Sequence, residues 1–362
     1  LKKVLENQSW TNEFAHSFKN LKNLYDFLGW SLPKKSKDVV ERYPLFVPRE
    51  LAKKIKAQGP NGVLAKEFLP HDLETDNDLN KLGLEDPIGD REHARAPQLI
   101  HRYPSRALFT PTTVCPVHCR YCFRKNELNA QDELFQKDFD RTLLYLNSHP
   151  QITEIIFTGG DPLTLSNDKL HWYLKAFSEI KTIKDIRFHT RYPVILPSRI
   201  DDGLLNLFKH FKETFRTISL AIHANHRSEF DNEGREAIKE IGFGGVQLLS
   251  QTVLLKGVNN NPDTLIDLIN EFIDLKIRPY YLHHPDQVLG GMHFYLPLEE
   301  GRRIYQSLRS RLPGWALPQY IIDVPQGLGK ISAFNPEGYE FRGKILSLSG
   351  ETVLLQEPDF FV

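Results

Sequence analysis

Residues 110–125 read TPTTVCPVHCRYCFRK and open on the end of a short apolar run, ALFTP (107–111). They hold Cys115, Cys119 and Cys122 in the spacing Cys-x3-Cys-x2-Cys, and the 362-residue chain has 3 cysteines in all. An odd number of thiols in one tight cluster cannot pair internally without a leftover. That argues against a disulfide framework and for metal or cluster binding. Three thiolates can hold a four-iron cluster and leave one iron without a protein ligand, whereas clusters that only carry electrons are normally held by four. An open iron can chelate a substrate or cofactor. A structural zinc site wants four ligands, and His118 could supply the fourth. A zinc-bound or iron–sulfur protein without enzymatic activity therefore stays open as the rival reading.

Downstream, short apolar runs recur at EIIFT (154–158), DIRFHT (185–190), TISLAI (217–222), QLLSQTVLL (247–255) and RPYYLH (278–283). Helix-like stretches fall between and after them at 136–148, 167–180, 201–213, 232–241, 262–275 and 298–311. Strand and helix alternating this often predict an α/β fold of βαβ units with a parallel sheet. Six units are too few for a closed eight-stranded barrel, which leaves a partial (β/α)6 barrel or an open doubly wound sheet. In either, functional residues belong just past the C-terminal ends of strands. FTGGDPL (157–163) stands at such an end. Gly159 and Gly160 permit close backbone approach, and Asp161 could accept from an ammonium.

Upstream, the first hundred residues read as a mostly helical extension. Phe14, Phe18, Leu21, Leu24, Tyr25 and Leu28 recur at spacings of three and four between Trp10 and Trp30. Pro48 followed by RELAKKI marks a helix start. The stretch 65–97 is polar and rich in Asp, Pro and Gly, and predicts loop with short helices. Near the other end, IIDVPQGLGKISAF (321–334) sets Lys330 behind Gly327 and Gly329. Such a loop can lay backbone N–H groups against a phosphate, and a lysine held there can form a Schiff base. The tail GYEFRGKILSLSGETVLLQ (338–356) alternates around Ser349-Gly350 and predicts a small antiparallel hairpin. The expected organisation is an extension (1–100), a partial barrel (101–315) and a C-terminal segment (316–362).

Lys plus Arg and Asp plus Glu are both 46, so no global field attracts nucleic acid or an anionic membrane. No apolar run reaches the roughly 18 residues of a spanning helix. LKKVLENQSWTNEF lacks the apolar core of a signal peptide, and the expected address is the cytoplasm.

The cysteine spacing, with aromatic Tyr121 just before the last cysteine, resembles the radical S-adenosylmethionine superfamily. From about residue 40 to 340 the chain resembles its lysine 2,3-aminomutase family, including the shorter bacterial members that serve elongation factor P modification. The segments that carry this are HRYPSR (101–106), CPVHCRYCFRK (115–125), FTGGDPL, HTRYPVILPSRI (189–200), HANHRSE (223–229), QTVLLKGVNNN (251–261), RPYYLHHPDQVLGGMHF (278–294) and DVPQGLGK (323–330).

The resemblance implies a [4Fe-4S] cluster on the three cysteines and S-adenosylmethionine on its open iron, with Gly159, Gly160 and Asp161 at the methionyl amine. It implies pyridoxal 5'-phosphate on Lys330, its phosphate held by Arg102, Tyr103 and Arg106. His223 and Gln251 match positions lining the cofactors. Arg124 matches the arginine that grips the substrate α-carboxylate, and Asp286 with Asp323 the acid pair at the distal ammonium of L-lysine. The implied activity moves the α-amino group of lysine to carbon 3, with a flavodoxin or ferredoxin as electron donor and a homo-oligomer as a possible assembly. The chain departs from better-known members at His283, where they carry tyrosine. The cysteine-rich C-terminal segment that binds zinc in clostridial-type members is missing, and Asn261 replaces a further zinc cysteine, so no zinc is expected. A radical aminomutase acting on another amino acid is the nearest alternative.

Overall fold

The computed structural model describes residues 10–34, 36–127, 138–334, 344–346, 352–354 and 356. Ten strands form one sheet in sequence order, open between its first and last members: β1 (Ala94–Ala96), β2 (Leu99–Tyr103), β3 (Arg106–Thr112), β4 (Glu154–Gly159), β5 (Asp185–Thr190), β6 (Thr217–His223), β7 (Gln247–Val253), β8 (Arg278–His283), β9 (Gln319–Val324) and β10 (Gly329–Ser332). Neighbours from β3 to β9 pair in parallel, and the pairs β1–β2, β2–β3 and β9–β10 are antiparallel.

Six crossover helices connect the parallel strands: Phe139–Ser148, Asn167–Ser178, Asp202–Phe211, Asn232–Phe243, Pro262–Asp274 and Leu298–Arg311. The first five begin behind a side-chain cap, namely Asp138, Ser166, Asp201, Asp231 and Asn261. Each such cap is worth about 1 kcal/mol. Asn261 spends its side chain on the N–H of Asp263 at 2.8 Å. The sixth helix follows Pro297, with Glu299 and Glu300 in its first turn and Arg309 and Arg311 in its last, complementing the helix dipole.

The partial barrel expected from the sequence is present, extended by a seventh parallel strand, β9. Pairing also runs through β1 and β2, so the sheet crosses the boundaries expected near residues 100 and 316. Side chains alternate along the strands. Phe109, Phe157 and Phe188 turn outward; the first two pack with Phe139, Tyr173 and Phe177 of the crossover helices, and Phe188 packs with Phe208. Ile156, Thr158, Arg187 and His189, one residue away, face the interior cavity instead.

In the extension, the predicted helical stretch breaks into Trp10–Ala15 and Leu21–Leu28, because Phe18 pairs its backbone with Val47 at 2.8 and 3.0 Å. Arg49–Gln58 starts after Pro48 as expected, and short helices occupy Val63–Phe68, Asp72–Thr75 and Arg91–His93. Lys344–Leu346 pairs antiparallel with Thr352–Leu354, in agreement with the hairpin; its turn lies outside the described residues. No helix among the described residues is long and apolar enough to cross a membrane.

Candidate active site

The C-terminal ends of the parallel strands surround a cavity with an empty volume of about 2040 Å³, counted to its open mouth. Every residue singled out from the sequence as a site candidate lines it. They fall into two groups, one at the cysteine loop and one around Lys330.

At the loop, Cys115, Cys119 and Cys122 are free thiols. Burial and mutual proximity raise the pKa of Cys115, and burial with Cys119 beside it pushes Cys122 up to about 12. Metal binding must displace those protons. Arg191 donates from Nη1 to Cys119 Sγ at 2.9 Å and to the Tyr121 hydroxyl, while its Nη2 pairs with buried Glu229. The Tyr121 hydroxyl also lies 3.4 Å from His223 Nε2. His223 and Gln251 are register partners on β6 and β7. His118 turns Nδ1 to the carbonyl of Pro44 at 2.8 Å. No group of three or more His, Cys, Asp or Glu among the described residues is arranged around a single metal ion. A polynuclear cluster spreads its ligands wider than one ion does, so three soft thiolates on one loop fit a cluster with an open iron.

The glycines of FTGGDPL serve close packing. A Cβ on Gly159, whose φ is 103°, would stand 2.5 Å from the carbonyl oxygen of Thr112, and one on Gly160 2.4 Å from that of Val114. The N–H groups of Gly160 and Asp161 donate to those two carbonyls at 2.7 and 2.8 Å. The end of β4 thus lies backbone to backbone on the start of the cysteine loop. Asp161 accepts from Leu163 N at 3.0 Å, Arg191 N at 2.7 Å and the Thr190 hydroxyl at 2.9 Å. Burial still pushes its carboxyl up to about 6. These three donors leave about one of the carboxylate's four lone-pair sites, so Asp161 fixes the strand end and keeps acceptor capacity for the expected ligand ammonium.

In the second group, Lys330 Nζ meets Asp323 Oδ1 at 2.5 Å, and Lys330 N donates to the Tyr103 hydroxyl at 2.7 Å. Burial opposes both charges of the Lys330–Asp323 pair, but each sustains the other: Lys330 is raised and Asp323 held well below the carboxylate range. Asp286, half-buried beside Asp323, is driven well above that range by desolvation and by the charge of Asp323. His283 Nδ1 lies 3.5 Å from Asp323 Oδ2, and burial keeps its imidazole neutral. The Arg106 guanidinium sits 3.9 Å over the Tyr103 ring. Arg102 donates to the Ile88 carbonyl at 2.6 Å and to Asp90 at 3.0 Å; Arg124 donates to the other oxygen of Asp90. Arg124 Nε and Nη1 and Arg102 Nε are buried and find no partner among the described residues. An amine, unspent guanidinium N–H groups and a ring hydroxyl in one cavity fit an anionic aldehyde cofactor and a carboxylate substrate.

Sequence reasoning missed Asp90, Glu229, Arg191 and His189. The last two stand at or just past the end of β5, where the rule for parallel strands could have found them. Burial and the Arg187 cation keep His189 neutral, and its Nε2 has no described partner.

A model of the radical SAM superfamily matches residues 109–269. The chain is 35% identical over 278 residues to L-lysine 2,3-aminomutase of Escherichia coli, covering 76% of this chain and 79% of that protein. It is 33% identical over 347 residues to the protein of that name from Methanococcus maripaludis, covering 91% and 78%. With the one from Buchnera aphidicola it shares 31% over 335 residues, covering 91% and 97%. Similarity of that extent, on a chain whose thiolate loop and strand ends share one cavity, means that the protein belongs to the lysine 2,3-aminomutase family, isomerases that use a four-iron cluster and S-adenosylmethionine.

Proposed function

We propose that the protein is an L-lysine 2,3-aminomutase of the cytoplasm, converting L-lysine to β-lysine with pyridoxal phosphate on Lys330 and electrons from a flavodoxin or ferredoxin. When bound, the cluster with S-adenosylmethionine supplies hydrogen abstraction, and pyridoxal phosphate supplies delocalisation for the migrating nitrogen. The chain's own residues bind, orient and exclude water.

The observation that carries the choice of substrate is the Asp286–Asp323–Lys330 cluster. With one ammonium present, Asp323 is favoured in its ionised form while burial and the charge of Asp323 push Asp286 toward its protonated one. Lys330 would hold the aldehyde cofactor, and its nitrogen so engaged would no longer serve Asp323 as a free ammonium. Two acids facing one cavity would then demand another cation. The distal ammonium of lysine meets that demand, whereas an acidic substrate would add a third carboxylate. At the other end, the unspent N–H groups of Arg124 suit the α-carboxylate. Arg102, Arg106 and Tyr103 take the cofactor phosphate, beside the lysine that anchors its aldehyde.

The test is anaerobic incubation of the reconstituted protein with reductant and a panel of amino acids, followed by product identification. β-Lysine from lysine alone is the expected result. Rearrangement of a different amino acid overturns the substrate. Absence of S-adenosylmethionine cleavage with every member overturns the reading.

A further inference from the structure

We propose that Asp90 is a positioning residue that holds the phosphate-reading Arg102 and the carboxylate-reading Arg124 in one frame, and ties that frame to the turn carrying Lys330. The inference rests on the reading of the site given above. Asp90 is fully buried, and its two oxygens are divided between the arginines: Oδ1 takes Arg102 Nη2 at 3.0 Å and Oδ2 takes Arg124 Nη2. Two guanidiniums against one carboxylate leave the trio one positive charge in excess. Each arginine gives Asp90 a single nitrogen, while Arg102 Nε and Arg124 Nε and Nη1 stay buried without described partners. Buried charged donors left unmet are costly, so the arrangement favours anionic ligands. Because both guanidiniums hang on one carboxylate, neither ligand group can be displaced without disturbing the other's reader.

Asp90 is itself fixed from behind. Its N–H donates to Asp86 Oδ1 at 3.0 Å. Gly89, with φ at 68°, lies so close to the lysine-bearing turn that a Cβ would stand 2.4 Å from Gly327 N. His93 Nε2 pairs with the Gly327 carbonyl at 2.8 Å. One short segment therefore touches both arginines through a side chain and the Lys330 turn through its main chain. Fixing three readers against one another is what a reaction between two bound molecules requires, since small misplacements cost rate steeply.

The test uses full-length, cluster-loaded protein and reads pyridoxal phosphate affinity by absorbance titration, the KM for lysine, and iron content. Asp90→Asn should weaken cofactor affinity and raise the lysine KM, each at least tenfold, with iron content kept. Combined with Arg102→Gln, which alone should weaken the cofactor, Asp90→Asn should cause no further loss of cofactor affinity, because on the cofactor it acts through that arginine, while the lysine KM should still rise through Arg124. Additive losses of cofactor affinity in the double variant, or an Asp90→Asn protein with both values normal, overturn the proposal. If the Asn variant does not hold its fold and iron, Asp90→Glu decides. It keeps the charge but moves it by one methylene, so unchanged affinities in it also overturn the proposal. An Arg102→Gln protein with normal cofactor affinity is the distinct signature of a wrong phosphate site, and it takes this inference down with that reading.

Discussion

Removing one acid from the Asp286–Asp323 pair isolates charge from packing, since Asp286→Asn is nearly isosteric. Breaking a buried charge pair costs about 3–5 kcal/mol. Each 1.36 kcal/mol is about tenfold in rate, so lysine turnover, normalised to iron, should fall at least about a hundredfold. Turnover near the wild-type value would mean that the distal group is read elsewhere. A second expectation concerns Lys330: borohydride reduction should leave the cofactor mass on its peptide, and label on another lysine would refute the assignment. A third is a pH effect. Burial pushes Glu127 up to about 7 against the pull of Arg124. Its folded pKa is raised, so it is neutral below about 7 and ionises as pH rises through that value. The ionised carboxylate then competes for Arg124 with the substrate. The lysine KM should therefore rise across pH 6–8 in the wild type, and more weakly in Glu127→Gln; identical profiles would exclude the competition.

At the scale of elements, the junction of β4 with the cysteine loop is the tightest fit in the site. Gly160→Ala must push the Val114 carbonyl away from a 2.4 Å approach. The loop should shift and iron content fall by at least half while the helical circular dichroism persists; full iron loading would show that the junction has slack. The first six parallel strands were legible because each is a short run with β-branched or aromatic residues followed by a helix, and five of those six helices carry a side-chain cap. Positions past the strand ends, such as Asp161, could be found the same way, although what Asp161 bonds to could not. The segment DPIGDREHARAP (86–97) was opaque for a physical reason. It has no periodicity, β1 and β2 are brief, and Asp90 acquires meaning only from Arg102 and Arg124 and from the turn at Gly327. Likewise β9 is as long as β4, β5 and β8, but it leads into a glycine-containing turn and not into a crossover helix, and its place in the sheet shows only in its pairing with β8.

For the molecule as a whole, the two margins of the open sheet matter most. β2 and β10 lie near opposite ends of the strand order, yet Tyr103 and Lys330 are hydrogen-bonded and His93 reaches Gly327. The sheet curls until its margins meet at the proposed phosphate site. A ligand spanning that seam stabilises the native state by mass action, about 2.7 kcal/mol at a hundred times its Kd. Adding pyridoxal phosphate should therefore slow amide exchange in Leu99–Tyr103 and Gly329–Ser332 together. Protection of one margin without the other would mean that the ligand does not bridge them.

The same seam sets a timetable. Tyr103 and Lys330 are separated by 227 positions, which a ribosome adding about 5–20 residues per second covers in about 11–45 s. For most of that interval Arg102, Arg106 and Arg124 already exist and Lys330 does not. Cofactor capture across the seam is thus a late event in the protein's life, open only once both margins have been made and have met.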